Sequence, residues 1–512
     1  MSTTNLTEDR TDIDTAAEIH ISRRIFSFPV MLSALLTMLA FLTVRLRFDD
    51  PDLWWHLKTG EIIWTTHTIP ATDLFSFTTN HHAWIDHEWL SQLIIYGVYR
   101  LGGYSGLMLW LCCCTAALLI GGYALCSLYS GNAKVALVGA LTIWLFGTVG
   151  FAIRPHMIGY LLLLLELALL HLGRTRNPRW FLALPPLFAL WVNCHGSFFL
   201  GLVIAGVTLF SSYFNFQWGS LAATRWDPRT RRTLIMAFIV SVAALFANPI
   251  GVKLVLYPVQ TLLVPSIGLA QVIEWQPLQL SDGRSFAFWM SLGCIFLLVI
   301  IRRTDLHWLE LLILVLGAWL AASHQRMLFA YGILAAPVLS RLLSDTWDNY
   351  SVERDRRIPN AVLIVATLLI VFSTFPSRAN LTTQVEQNSP VKAVEFIKTH
   401  HISGPMLNDW VDGGYLIWAM PEHPDFIDGR ADVFEWAGVL AEFQSWSQLQ
   451  TDPNVLLEKY RISFCLLNRY SPMVTVMSLL KNWQMAYQDD HSVIFTRTTS
   501  GNAPASNDPS KN

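Results

Sequence analysis

The sequence predicts a polytopic α-helical membrane protein with a small α/β domain at its C-terminal end, and three observations carry that expectation. Of 512 residues, 53% are hydrophobic and 14% are charged, against roughly 25% charged in an ordinary soluble domain. The apolar residues gather in runs of bilayer-spanning length, which takes roughly 17 to 25 residues of helix. After Pro376 the pattern changes, and apolar runs become short and mixed with charge as far as Arg497.

The polar segment 1–24 is expected to be a disordered, cytoplasmic N-terminus. Apolar windows at 25–44, 104–129, 133–151, 157–173, 180–194, 197–214, 233–249, 286–301, 306–323, 326–343 and 360–375 then give about eleven transmembrane helices. The first window follows Arg23 and Arg24, but it is longer than a signal-peptide core and lacks an A-x-A site, so it reads as an uncleaved anchor. Segment 252–270 is also apolar, yet Pro258 and Pro265 interrupt it, and it reads as re-entrant or interfacial.

Orientation follows from the basic residues, because short cytoplasmic loops carry excess Lys and Arg. Lys134, Arg174, Arg176, Arg179, the run Arg225 to Arg232, Arg302, Arg303 and Arg354 to Arg357 fall on one side. That side is cytoplasmic, and the opposite side receives the loop 45–103, the loop 250–285 and everything after 376. The expected location is the plasma (inner) membrane, with the C-terminal domain extracytoplasmic. A net charge of -2 without a basic stripe argues against nucleic acid. Six of the seven cysteines lie within or at the ends of apolar windows, with no metal or disulfide spacing.

The domain at 376–497 has a proline-first helix, PVKAVEFIKTH. PMLND, YLIWAM, DFIDG, SFCLLN and SVIFT read as strands, with helices at Val455–Tyr460 and Pro472–Asn482. Strand and helix alternation makes it α/β. Asp409, Asp412, Asp428, Arg430 and Asp432 read as solvated turn residues or, alternatively, as a sugar-facing rim. The tail 498–512 is expected to be disordered.

Candidate chemistry gathers on the outer side. DDPDLWWHLKTGEI, Asp49 to Ile62, sets carboxylates, two tryptophans and a histidine at a membrane edge, where ionisable groups are functional candidates by default. Asp52 and Asp50 are the candidate catalytic acids here, and His56 sits one helical turn past Asp52, close enough to share a substrate with it. An N-cap followed by an aromatic anchor is the alternative reading. AWIDHEWL adds Asp86, His87 and Glu88; Glu88 completes the catalytic candidates, or else it and Asp86 only cap a helix. Arg154, His156, Asn193, His195 and Arg326 are candidates for substrate and phosphate, with tight polar turns and snorkelling side chains as the alternative. Asp52 and Glu88 could hold a divalent cation, Mg or Mn, since hard cations take oxygen ligands. Glu274-Trp275-Gln276 and His324-Gln325-Arg326 lie on the same side.

These motifs resemble the GT-C superfamily of polytopic glycosyltransferases, which includes protein O-mannosyltransferases and aminoarabinose transferases of lipid A. The chain is most similar to a bacterial branch with D-x-W-W-H-L-x-x-G, here Asp52 to Gly60, an eWL element, Glu88 to Leu90, and W-x-N-x-H-G, Trp191 to Gly196. An outer domain with GGYL and iDGR patterns, Gly413 to Leu416 and Ile427 to Arg430, extends the similarity over most of the chain. The resemblance implies a GT-C-like membrane module at 25–375, including the outer loop 45–103, followed by the α/β domain. It implies transfer of a hexosyl or pentosyl group from a polyprenyl-phosphate carrier to a glycan, lipid or protein acceptor outside the cell. An acid in the first outer loop is essential in that pattern, matching Asp52 best, and no organic cofactor is implied. A polysaccharide polymerase or ligase, and a transporter or flippase of lipid-linked glycans, are the alternatives.

Overall fold

The computed structural model describes residues 25–79, 81–263, 273–281 and 283–498. Residues 1–24 and 499–512 of the expected disordered ends, and 264–270 of the proline-interrupted segment, lie outside the described residues. The chain folds as two units: 25–47, 86–263 and 273–378 form the first, and 48–85 with the residues from Ala379 onward form the second. The loop 45–103, assigned from sequence to the membrane module, is therefore divided, and most of it belongs with the C-terminal domain.

Among the described residues of the first unit, a helix falls in each of the eleven apolar windows. Their ends sit at helix-breaking chemistry. Asn132 accepts from the Lys134 and Val135 N–H groups at 3.0 and 3.4 Å to start Ala133–Gly147. Asp227 does the same for Pro228–Ala244, whose first residue is proline. The helix expected over Glu88–Arg100 and the window at 104–129 form one element, Trp89–Ser130, broken at Gly103 (φ 56°, ψ -144°), a conformation open to glycine. Among the described residues, three helices have both the length and the apolarity to cross a membrane by themselves: Trp89–Ser130, His156–Thr175 and Gly283–Arg302. Phe28–Val44, Ala133–Gly147, Phe198–Ser211 and Trp308–Ser323 are apolar but shorter than expected, because caps, prolines and short turns end them early.

Leu328–Leu342 is the hub of this unit. Every residue in it except Arg341 is buried, the signature of a helix surrounded by others. It packs on Ala133–Gly147 and Trp89–Ser130, and Gly139 and Gly332 leave the space that Ser340 and Phe146 fill. A small sheet completes the unit: β1 (Phe216–Trp218) pairs antiparallel with β2 (Leu221–Ala223), which pairs parallel with β3 (Leu306–His307).

The second unit contains a four-stranded sheet of β4 (Met406–Asn408), β5 (Phe464–Asn468), β6 (Trp483–Gln488) and β7 (Ser492–Arg497), in the order β4-β5-β7-β6. β4 and β5 are parallel and the other pairs antiparallel. Two expected strands are not sheet strands. YLIWAM lies mostly in the helix Trp410–Ala419, since a short apolar run buried on all sides has no period to separate strand from helix. DFIDG instead forms an irregular segment. The helix at Pro472 stops at Leu479, and the residues after it turn back as β6.

Irregular though it is, 425–430 binds the first-loop segment. The Asp425 N–H donates to the Phe75 carbonyl at 3.1 Å, the Phe77 N–H to the Asp425 carbonyl at 3.2 Å, and Thr78 Oγ1 to the Phe426 carbonyl at 2.7 Å. Arg430 then donates to both Asp428 oxygens and, at 2.6 Å, to Asp73. Asp412, Asp428 and Arg430, expected at solvated turns or on a rim, are buried to 1%, 0% and 2% exposure. Burial works to raise the Asp73 carboxyl, but Arg430, Thr79 and the Phe75 N–H outweigh it and hold the group below its ordinary value. Burial, reinforced by the charge of Asp428, pushes Asp425 well above its own.

Stability in this unit depends on pH. Burial pushes the Asp409 carboxyl up to about 7 against the opposing Asn468 N–H, from about 3.9 in an unfolded chain. A raised carboxyl stabilises fully below its unfolded value and loses that contribution as pH rises through its folded value. His491, raised by its hydrogen bond to Asp412, acts in the same sense. The melting temperature of the full chain in detergent is expected to fall from pH 5 to pH 8, and Asp409→Asn to reduce the slope. A melting temperature that rises over that interval would contradict the assignment.

Candidate functional site

In the second unit, Asp52 precedes the helix Leu53–Thr66 and occupies its N-cap position. It does so in αR conformation (φ -76°, ψ -19°) and makes no side-chain cap hydrogen bond, so its carboxylate is not serving as a cap. Its own N–H donates to Asp50 Oδ1 at 3.0 Å. The half-buried Asp52 carboxylate faces Gly429 of the iDGR segment, where a Cβ would collide with Oδ1 and lie 3.3 Å from Trp55 Nε1. Gly414 presses against the Pro51 carbonyl and Gly413 against the Ile427 carbonyl and Asp428. The D-x-W-W-H-L, GGYL and iDGR elements thus interlock through three glycines. His56 is buried at 2% exposure, its ring 3.6 Å from that of Trp55.

In the first unit, Glu88 occupies the N-cap position of Trp89–Ser130, again without a cap hydrogen bond. Its Oε1 lies 3.3 Å from His195 Nε2 and 3.7 Å from His87 Nε2. The Ser197 N–H donates to His195 Nδ1 at 3.1 Å, so the proton of the neutral ring sits on Nε2, toward Glu88. Ser197 Oγ, 2.8 Å from Nδ1, accepts from the indole N–H of the fully buried Trp191 at 3.0 Å. Trp191, Ser197 and His195 therefore fix one imidazole edge against one carboxylate. Gly159 admits this turn, since a Cβ there would meet Ser197 Oγ and the His195 ring.

His156 Nε2 donates to the Gly150 carbonyl at 2.6 Å, and its ring stands 6.4 Å from that of His195. Ring contacts continue from His156 to Tyr160, and from His87 to Tyr257, stacked at 4.3 Å. Asn193 is committed to the fold: Oδ1 accepts from Trp89 Nε1 at 3.0 Å, and Nδ2 donates to the Ala189 and Ala247 carbonyls. Asp86 likewise accepts from Gln92 Nε2 at 2.8 Å. Arg154 Nη1 lies 3.8 Å from Glu274. Arg326 Cζ lies over the Trp275 ring, 4.7 Å from its centroid.

Sequence reading left Ser197, Tyr257, Gly159 and Gly429 without a role. Ser197 directly follows the W-x-N-x-H-G element, but glycine and serine in a turn look like ordinary turn chemistry. Among the described residues, no three His, Cys, Asp or Glu side chains converge as a metal site.

No protein-family model and no curated protein sequence matches the chain. Solved structures do. ArnT from Cupriavidus metallidurans bound to undecaprenyl phosphate is 12% identical, with a TM-score of 0.51 over 92% of this chain and 98% of that one. The Archaeoglobus fulgidus oligosaccharyltransferase tethered to an acceptor peptide with the NVT sequon is 12% identical, TM-score 0.51, over 87% and 70%. The same archaeal enzyme, AglB, with an inhibitory peptide and a dolichol-phosphate is 10% identical, TM-score 0.50, over 85% and 69%. The chain shares the fold of these solved structures.

Asn193→Ala is expected to strand the Trp89 indole N–H and two carbonyls and to cost about 1–3 kcal/mol, read as a lowered thermal midpoint in detergent. An unchanged midpoint would contradict the structural role.

Proposed function

We propose that this chain is an integral membrane glycosyltransferase of the plasma membrane, moving a sugar from a polyprenyl-phosphate carrier to an acceptor hydroxyl on the extracytoplasmic face. The observation that carries this reading is the fold shared along nearly the whole of both chains with ArnT, solved with undecaprenyl phosphate bound. The dolichol-phosphate complex of the archaeal enzyme supports the same donor class. A lipid-phosphate donor also suits ionisable residues at a membrane edge.

In the proposed reaction the acceptor oxygen attacks the anomeric carbon, the bond from that carbon to the carrier phosphate oxygen breaks, and the acceptor proton passes to a carboxylate. Asp52 is assigned that base role, because its carboxylate is not consumed in capping and Gly429 gives it room. Asp50 holds the turn before it through the Asp52 N–H. Arg154 and Arg326 are assigned the phosphate oxygens, which guanidinium groups match in charge and geometry. His195 is assigned a shared hydrogen bond to the same group through its Nε2–H, which also faces Glu88, with Ser197 on Nδ1. His56 and His156 are supporting members. The donor groups do not assemble a metal site among the described residues, so no step is routed through a cation.

Purified protein, labelled polyprenyl-phosphate sugars and candidate acceptors provide the assay. Asp52→Asn is expected to lower transfer by about 10²–10⁴-fold, the range for a lost general base, with unchanged abundance and melting temperature. Gly429→Ala is expected to lower transfer too, by displacing Asp52. Transfer is expected to survive excess chelator; a loss restored by Mg or Mn would instead assign the reaction a divalent cation. Full activity in Asp52→Asn would remove the base assignment.

A further inference from the structure

The helix His156–Thr175 carries His156 at one end and ends at the other beside a cavity of about 160 Å3. With a rise of 1.5 Å per residue, Arg174 stands about 27 Å from His156 along this helix. The cavity is therefore separate from the Glu88 and His195 group. Leu167 and Ile313 represent its apolar wall. Facing them are Arg174, His171, His307 and the pair Arg341 and Glu310.

That pair is internally balanced. Arg341 donates through Nε and Nη2 to Glu310 and from Nη2 to the Asp305 carbonyl at 2.8 Å, while Glu310 also takes the His307 N–H at 2.9 Å. Arg174 is different: among the described residues no carboxylate pairs with it, and its Cζ lies over the Trp226 ring, 5.5 Å from the centroid. A guanidinium over a ring still carries N–H donors for an oxyanion. The lining thus has one cation without a carboxylate partner among the described residues, in a space with an apolar side.

We propose that this cavity binds the phosphate of an anionic phospholipid headgroup. One surplus positive charge matches one phosphodiester. The volume is below the several hundred Å3 of a site for a whole small molecule, but it admits a phosphate and its neighbouring atoms, with the first methylenes against the apolar wall. Arg176, Arg179 and the run Arg225 to Arg232 border this end in sequence, the side that the arginine distribution assigns to the cytoplasm. Basic pockets between transmembrane helices on that side take lipid phosphates of this kind. This inference is independent of the transfer reading.

The test is binding to the detergent-solubilised full chain, read by native mass spectrometry and thermal shift, with three probes: dioleoyl phosphatidylglycerol, dioleoyl phosphatidylcholine and inorganic phosphate. Wild type is expected to retain and be stabilised by phosphatidylglycerol over phosphatidylcholine. Arg174→Gln should weaken that binding by about tenfold, as loss of a charge-assisted hydrogen bond does, and Arg174→Lys by less. Arg469→Gln, on the exposed surface of the second unit, should leave it intact. If inorganic phosphate alone gives the Arg174-dependent shift, the phosphate site stands and its source is soluble. Equal binding of both lipids with no phosphate effect, or phosphatidylglycerol binding unchanged in a folded Arg174→Gln, would overturn the proposal.

Discussion

A buried guanidinium sets the architecture of the second unit. Arg430 reaches Asp428 two residues before it in sequence and Asp73 in a loop more than three hundred residues away. Three aromatic rings, Phe75, Trp84 and Phe434, surround it at 4.8, 4.9 and 5.9 Å. Taking a charge out of water is tolerable only where partners satisfy it fully. Burial works against the Arg430 charge, but Asp428 and Asp73 more than offset it, and the group stays protonated. Burial, with the charge of Asp428 added, outweighs what Arg430 offers to a third carboxyl nearby, and Asp425 is pushed well above its ordinary value. From this one residue follow the docking of the first loop on 425–430, the burial of Asp428 and the position of Gly429 against Asp52.

The first unit solves a comparable problem without a buried cation. Glu88 is met by an imidazole whose tautomer is set from behind by Ser197 and Trp191, a second shell that orients the first. Asn193 staples the end of Leu184–Cys194 to Trp89 and Ala247. One motif, W-x-N-x-H-G, therefore mixes a residue that orients, a residue that staples and a residue that presents its edge.

Much of this was legible in the sequence, and what was not has a physical reason. Helices appear in all eleven windows because apolar run length is a local property, and Asn132 and Asp227 mark their starts as caps do. The motif residues Asp52, Glu88 and His195 stood out as types at fixed spacing. The partnership of Asp73 with Arg430 is non-local, and nothing near either residue announces it. For the same reason Asp428 and Arg430 read as solvated turns: Asp and Gly in series are turn chemistry until a distant loop covers them. YLIWAM misled because burial on all sides erases the two-residue period of a strand. Ser197 and Gly159 act through atoms too small to leave a pattern.

The central claim is that Arg430 fastens the first loop to the C-terminal domain and so fixes the ground on which Asp52 stands. Arg430→Met in the full chain, followed by hydrogen–deuterium exchange over 70–79 and 425–434, tests it most directly. Loss of one member of a buried charge network costs about 3–5 kcal/mol, and the account requires both segments to lose protection together while the helices of the first unit keep theirs. Unchanged protection of Phe75 to Phe77 in that variant would contradict it.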